Sequence, residues 1–313
     1  MSLEHWESYY REGAAVSCPL GIEPGYTLEV RDSWLQLFAA LPGQARILDI
    51  GTGNGAVPVI AREAATALGR AFEIHGLDLA RIDPHRFLKE AARLLADVQF
   101  HAEVAAESLP FESGSFDAVT GQFALEHMDV ERVLAEVARV LKPGGRAQFI
   151  LQHRDSIIVE TAGESLRHAS IVLDETKVFR KLARYLEAER TAPRSANEAW
   201  QEIVAAGQRL QQEAATARNS MLLMSNLEFL RLLFDRRKTA SLPELQRIVE
   251  RMESDLRASV RRLQDMVGAA QSAEDIARLV ALAENLGFGD VHFEAQLFDA
   301  RHLVGWRLGM TRV

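Results

Sequence analysis

Two carboxylates and a run of glycines are the residues of this 313-residue chain best suited to chemistry. In Ile47-Leu48-Asp49-Ile50-Gly51-Thr52-Gly53-Asn54-Gly55 an apolar run carries an acid and opens into a glycine-rich turn. Glycine tolerates left-handed backbone and lets N–H groups approach a ligand closely, so such a turn ahead of a helix suits an anionic or nucleotide ligand. The run alone discriminates poorly, because Gly51, Gly53 and Ala56 also fit the G-x-G-x-x-G/A fingerprint of dinucleotide sites. Gly76-Leu77-Asp78-Leu79 puts a second acid at the end of the next apolar run. There its two oxygens could accept both hydroxyls of a ribose.

Two histidines follow later apolar runs: His127 in Gln122-Phe123-Ala124-Leu125-Glu126-His127, and His153 in Leu151-Gln152-His153-Arg154. An imidazole titrates near neutrality, so either could serve as a general base. The remaining histidines show no metal-ligand spacing. The single cysteine, Cys18, excludes an internal disulfide and a cysteine-rich metal site. A net charge of −8 weighs against a nucleic-acid partner, whose affinity rests on neutralised phosphates. No apolar run is long enough to span a bilayer, and the charged, aromatic N-terminus is unlike a signal peptide, which places the chain in the cytoplasm.

The elements that must position these groups can be read from periodicity. Helices are expected over 3–11, with Trp6, Tyr9 and Tyr10, and over 28–41, with Val30, Trp34, Leu37 and Phe38 at helical spacing. From Ala45 short apolar strands alternate with amphipathic helices: strands over 46–50, 72–77, 98–104, 116–121 and 146–151, helices over 56–68, 83–95 and 130–141. Pro143-Gly144-Gly145 is a strong stop after the last of these. Residues 156–270 hold no convincing strand. They include an all-round apolar helix over 221–234, expected to be buried, and a long amphipathic helix through Leu245, Val249, Met252, Leu256, Val260, Leu263 and Val267. Ser272-Ala273-Glu274-Asp275 then caps a helix closed by Gly287, and strands over 291–298 and 303–310 finish the chain. Strand–helix alternation implies a parallel sheet with right-handed crossovers. The expected organisation is N-terminal helices over 1–44 covering the active site, an α/β core of 45–153 and 271–313, and a helical insertion of 154–270.

Two further blocks follow in order: Leu109-Pro110-Phe111-Glu112-Ser113-Gly114-Ser115-Phe116-Asp117-Ala118-Val119 and Val140-Leu141-Lys142-Pro143-Gly144-Gly145. With the Asp49 and Asp78 blocks, they closely resemble the class I S-adenosylmethionine-dependent methyltransferase family, in its small-molecule-type branch. The resemblance runs from Ala45 to Leu151 and, more weakly, from Ser272 onward. It implies a Rossmann-like, doubly wound, mostly parallel seven-stranded α/β sheet, with the helical insertion after the fifth strand. It also implies S-adenosylmethionine as cofactor and S-adenosylhomocysteine as product.

By the family pattern, Asp49, Gly51 and Gly53 would line the methionine part of the cofactor. Asp78 would hold the ribose diol and Leu79 would pack on the adenine, with Ala106 and Glu107 on its other side. Gln122 would sit near the sulfonium. The acid that relatives often carry two residues before Glu107 is Ala105 here. Some relatives hold a metal with Glu-x-x-Glu-His, but Phe123 replaces the first glutamate, so no metal is expected.

The expected activity is in-line transfer of a methyl group to a small, apolar or aromatic acceptor on O, N or C. Such transfer rests on alignment in a dry pocket and needs a base only for an acceptor that must lose a proton. Two other readings stay open: a protein or RNA methyltransferase docking through the insertion, and a non-catalytic cofactor-binding scaffold. The insertion itself reads either as a lid over the substrate or as a surface for homodimer formation.

Overall fold

The computed structural model describes residues 3–14, 16, 28–89 and 91–313, and Cys18 lies outside them. The chain divides into two compact units, one of Met1–Val159 with Asp265–Val313, the other of Glu160–Gln264.

The first unit opens with helices α1 (Glu4–Arg11) and α2 (Leu28–Ala39). There follow β1 (Arg46–Ile50), α3 (Ala56–Leu68), β2 (Glu73–Asp78), the one-turn helices α4 (Pro84–Phe87) and α5 (Ala92–Leu95), and β3 (Gln99–Ala102). Then come β4 (Phe116–Gln122), α6 (Val130–Val140) and β5 (Leu141–Gln152). Seven strands form one sheet in the order β3-β2-β1-β4-β5-β7-β6, where β6 is Phe288–Phe298 and β7 is His302–Arg312. The first five pair in parallel, and β7 runs antiparallel to both of its neighbours. β1 is nearly inaccessible at Ile47, Leu48 and Ile50, as a parallel strand covered on both faces must be. The chain winds outward from β1 through β2 and β3, then returns to β4 on the other side. That reversal opens a crevice between the carboxyl ends of β1 and β4, the place where open α/β sheets bind ligands.

Local differences from the sequence reading have physical causes. The single helix expected over 83–95 is two separate turns. Asp83 caps the first by accepting the N–H of Arg86, but Pro84 and Leu95 are the only buried anchors among the described residues of this stretch, too few to hold a continuous helix. The helix expected to reach Leu141 stops at Val140, and Pro143-Gly144-Gly145 lies inside β5 instead of separating two elements. Leu141 pairs with Phe116 and Arg146 with Ala118, so the intervening residues bulge out, which proline and a left-handed Gly144 permit.

Helix α12 (Ala273–Asn285) begins as its sequence suggests. Ser272 Oγ accepts the N–H of Asp275, and the Asp275 carboxylate accepts the N–H of Ser272 at 2.8 Å. Ser272→Ala removes this reciprocal cap. It should cost about 1 kcal/mol, read as faster amide exchange over 273–278, with exchange in β1 unchanged.

The second unit is helical. It comprises most of α7 (Ile157–Ser170), a π-helical turn (Ile171–Glu175), α8 (Val178–Thr191), α9 (Pro193–Ala214), α10 (Met221–Arg236) and most of α11 (Leu242–Ala269). Its core gathers Phe179, Leu182, Leu210, Leu223, Leu245 and Val249. α10 was expected to be buried on all sides, yet Met221 is 73% and Met224 52% exposed. Only the stripe of Leu223, Asn226, Leu230 and Leu233 is fully covered, with Leu222, Leu227, Phe229 and Phe234 partly buried beside it, because a helix packed on one side hides one face.

Candidate active site

The crevice is built on the turn between β1 and α3. Gly51 and Gly53 have φ of +64° and +50°, a left-handed conformation that other residues adopt at a cost. Space demands glycine as well. A Cβ at Gly51 would collide with that of Ala124, and one at Gly53 would come within 2.8 Å of the Tyr10 ring. The resulting cleft is lined by Tyr10, Val16, Asp49, Gly51, Thr52, Gly53, Asn54, Ala56, Val57 and Gln122. The first turn of α3 therefore faces it, bringing unpaired backbone N–H groups and the positive end of the helix dipole.

Two acids flank this turn. Asp49 pairs in register with Thr120 of β4, whose hydroxyl donates to Asp49 Oδ1 at 2.7 Å. Burial pushes the Asp49 carboxyl up to about 7; the hydrogen bond from Thr120 opposes the rise and the nearby charge of Asp78 adds to it. Asp78 closes β2, where its Oδ2 accepts the N–H of Gly53 at 2.9 Å and its Oδ1 that of Ala80 at 2.8 Å. One side chain thus fixes the glycine turn and the loop after β2 together. Burial raises Asp78 to about 6, with those two N–H donors holding it lower than burial alone would.

Asn54 Oδ1 and Gln122 Nε2 are buried and have no hydrogen-bond partner among the described residues. A buried polar atom left unpaired costs about 1–3 kcal/mol, and both side chains line one small cleft. One unpaired acceptor and one unpaired donor on side chains that line the cleft suit a ligand carrying both kinds of group, as the amino-acid end of S-adenosylmethionine does. The residues present fit that cofactor.

Asp49, Gly51, Gly53 and Gln122 are brought together in the cleft, and Asp78 joins them through Gly53. Leu79 lies beside Asp78 and is exposed. Ala106 and Glu107 are not among the residues lining the cleft. Ala106 is packed in the main hydrophobic core, and Glu107 accepts the N–H of Asp129, the residue that caps α6. His127 and His153 are not among the lining residues. His127 stands edge-on to Trp6, with ring centroids 6.1 Å apart, and desolvation lowers its pKa against the pull of Asp265. His153 stacks on Trp306 at 4.4 Å, accepts the N–H of Asp155, and is likewise lowered by desolvation.

Sequence reasoning passed over several residues. Glu126 accepts the N–H of Gln152 at 2.8 Å while its other oxygen is buried without a partner among the described residues, and burial raises it to about 7. Trp34 donates its indole N–H to Gln122 Oε1 at 2.5 Å. Tyr10 packs on Gly53, and the Asn54 amide donates to the carbonyls of Tyr10 and Ala14 at 2.9 and 2.7 Å. The aromatic run of the first helix was visible in the sequence, but nothing local to it names the glycine turn as its seat. Asn54→Ala should free this segment: amide exchange over 4–14 should rise several-fold, and an unchanged rate would mean that the two hydrogen bonds do not hold it.

Residues 47–145 match the family described as methyltransferase domain. An uncharacterised methyltransferase of Mycobacterium tuberculosis is 33% identical over 144 residues, covering 46% of this chain and 52% of that protein. A demethylmenaquinone methyltransferase of Thermus thermophilus is 41% identical over 105 residues, covering 32% and 44%. This chain therefore spans about half, or less, of the length of these curated relatives. Among solved structures, an S-adenosylmethionine-dependent methyltransferase from Mesorhizobium loti is similar at 27% identity and a TM-score of 0.31, over 38% of this chain and 52% of that one. Its four blocks, in order on a seven-stranded sheet wound about β1, all fall within residues 47–145, the part of the chain that is similar to a methyltransferase domain.

Proposed function

We propose that this chain transfers the methyl group of S-adenosylmethionine to a small-molecule acceptor of apolar or aromatic character. The observation that carries the reading is the cleft at the β1–β4 switch point, where Asp49, the left-handed glycines and the unpaired polar atoms of Asn54 and Gln122 come together. The matched relatives named for demethylmenaquinone and ubiquinone-pathway methylation support a small-molecule acceptor.

The cofactor supplies an electrophilic methyl group on a positively charged sulfur. The chain's own residues have the tasks of holding and aligning. Asp78 would accept from the ribose hydroxyls, and the carboxylate form of Asp49 would lower the energy of a cationic ligand beside it. Leu79 is proposed to lie against the adenine. We keep His127 and His153 as proton acceptors for a phenolic or alcoholic acceptor, since desolvation favours their neutral imidazoles at neutral pH.

The test uses methyl-labelled cofactor with a panel of quinols, phenols and amines, alongside protein and RNA fractions. Label in an extractable small molecule is the expected result. Label in protein or RNA would move the acceptor to the macromolecular class. Tight S-adenosylhomocysteine binding with no transfer to any fraction would make the chain a cofactor-binding scaffold.

A further inference from the structure

We propose that Trp34 is a positioning residue that locks the amide of Gln122 in one orientation, so that Nε2 faces the cleft as a donor for the carboxylate of the cofactor's aminoacyl tail. The inference rests on the cofactor reading above and deepens it.

The orientation follows from chemistry. An indole N–H can only donate, so the atom of Gln122 facing it must be the carbonyl oxygen. The 2.5 Å hydrogen bond from Trp34 Nε1 to Gln122 Oε1 therefore forces Nε2 to the opposite side. Trp34 is fully buried, stacks on Phe38 and belongs to α2, so its indole has little freedom to follow a rotating amide. Gln122 is 7% exposed, lines the cleft, and its Nε2 has no partner among the described residues. Its backbone is equally fixed, since β4 pairs there with β5 through Gln122 and Ile150.

The polarity of the cleft selects the ligand group. An NH2 donor beside a sulfonium or ammonium would be repulsive, so Nε2 serves an anionic or neutral oxygen. The first turn of α3, with Ala56 and Val57 on the wall, adds backbone donors and a positive dipole end to the same cleft. Asp49 supplies the only carboxylate among the lining residues and is the natural seat of the cationic group. A zwitterionic tail thus meets a donor and a helix N-terminus with its carboxylate, and Asp49 with its ammonium. Gln122 reads the tail and Trp34 makes that reading one-directional.

The test compares two ligands that share the adenosine and the sulfur: S-adenosylhomocysteine, which carries the tail, and methylthioadenosine, which lacks it. Wild-type binding of neither would overturn the cofactor reading itself. If wild type binds, Gln122→Met should weaken S-adenosylhomocysteine by about 10- to 100-fold, the range expected for a hydrogen bond to a charged group. Methylthioadenosine should bind as before. Gln122→Glu should be worse still for the tailed ligand, because an acceptor now faces its carboxylate. Trp34→Phe keeps the ring and removes the donor, and should cost about three- to tenfold, again only with the tail. Should Trp34→Phe fail to fold, the Gln122 pair decides the case. Equal losses on both ligands, or no loss on either, would overturn the proposal.

Discussion

Alanine at position 78 is expected to weaken S-adenosylhomocysteine binding by about 100-fold or more, since two hydrogen bonds from ribose hydroxyls to a charged acceptor are each worth about 1.5–3 kcal/mol. The same carboxylate accepts the N–H groups of Gly53 and Ala80, so the glycine turn also loses its tie to β2. Asp78→Asn should fall between wild type and alanine. Its carbonyl oxygen can keep one of the backbone donors, while its NH2 cannot accept from the other donor or from a hydroxyl. Affinity should also depend on pH. Burial lifts Asp78 to about 6, and the charged form is the one that accepts from the diol. Below that pH affinity should fall by up to about tenfold per unit, and it should level off above. Calorimetric titrations from about pH 5 to about pH 8, spanning the shifted value, would show it. Affinity that stays flat across the range would mean that Asp78 does not hold the ribose as a carboxylate.

Asp49→Asn should do two opposite things: stabilise the free protein at alkaline pH and weaken the cofactor. Asp49 is 2% exposed, and burial holds its carboxyl near 7 against an ordinary 3.8. Its folded pKa lies above the unfolded one, so folding takes up a proton between those values. The group's contribution to stability is therefore greatest in acid and declines as pH climbs from the lower value to the higher. Above about pH 7 the full penalty is present, up to about 4 kcal/mol for a three-unit shift. Asparagine cannot ionise and escapes that penalty while still accepting from Thr120. Melting temperatures should thus favour the variant at about pH 8 and show little difference at about pH 4, near the unfolded value. A gain of the same size at both would locate the effect in packing and not in charge. The variant's affinity should drop for both S-adenosylmethionine and S-adenosylhomocysteine, which share the ammonium proposed to sit at Asp49, and change little for methylthioadenosine, which lacks it. A desolvation penalty of this kind, retained between Leu48 and Ile50, is what an electrostatic site costs the fold.

The strand, the glycine turn and the acid after β2 were legible because each is a local demand. β1 must be apolar since both faces are covered, the turn must be glycine since its backbone is left-handed, and Asp78 stands where β2 ends. The cap of α12 was equally readable, because Ser272 and Asp275 are three residues apart and satisfy each other. The broken helix around α4 and α5 was not. Its periodicity is sound, but the apolar surface it should have packed against is limited to what Pro84 and Leu95 reach. α10 fails from the other side, since ten apolar residues in a row of sixteen cannot reveal which of them a neighbour will cover.

The sequence alone determined the order of strands and helices, the bend of backbone after β1 and the two acids that flank it, since these depend on a residue and its near neighbours. Only the tertiary structure decided which side chains share the cleft. It turned Glu107 toward the start of α6, sank Ala106 in the core and seated Tyr10 on Gly53. It also joined Trp34 to Gln122 across 88 positions of sequence. The physical reason is that periodicity fixes which face of an element is apolar. What that face meets is set by the order in which seven strands close into one sheet.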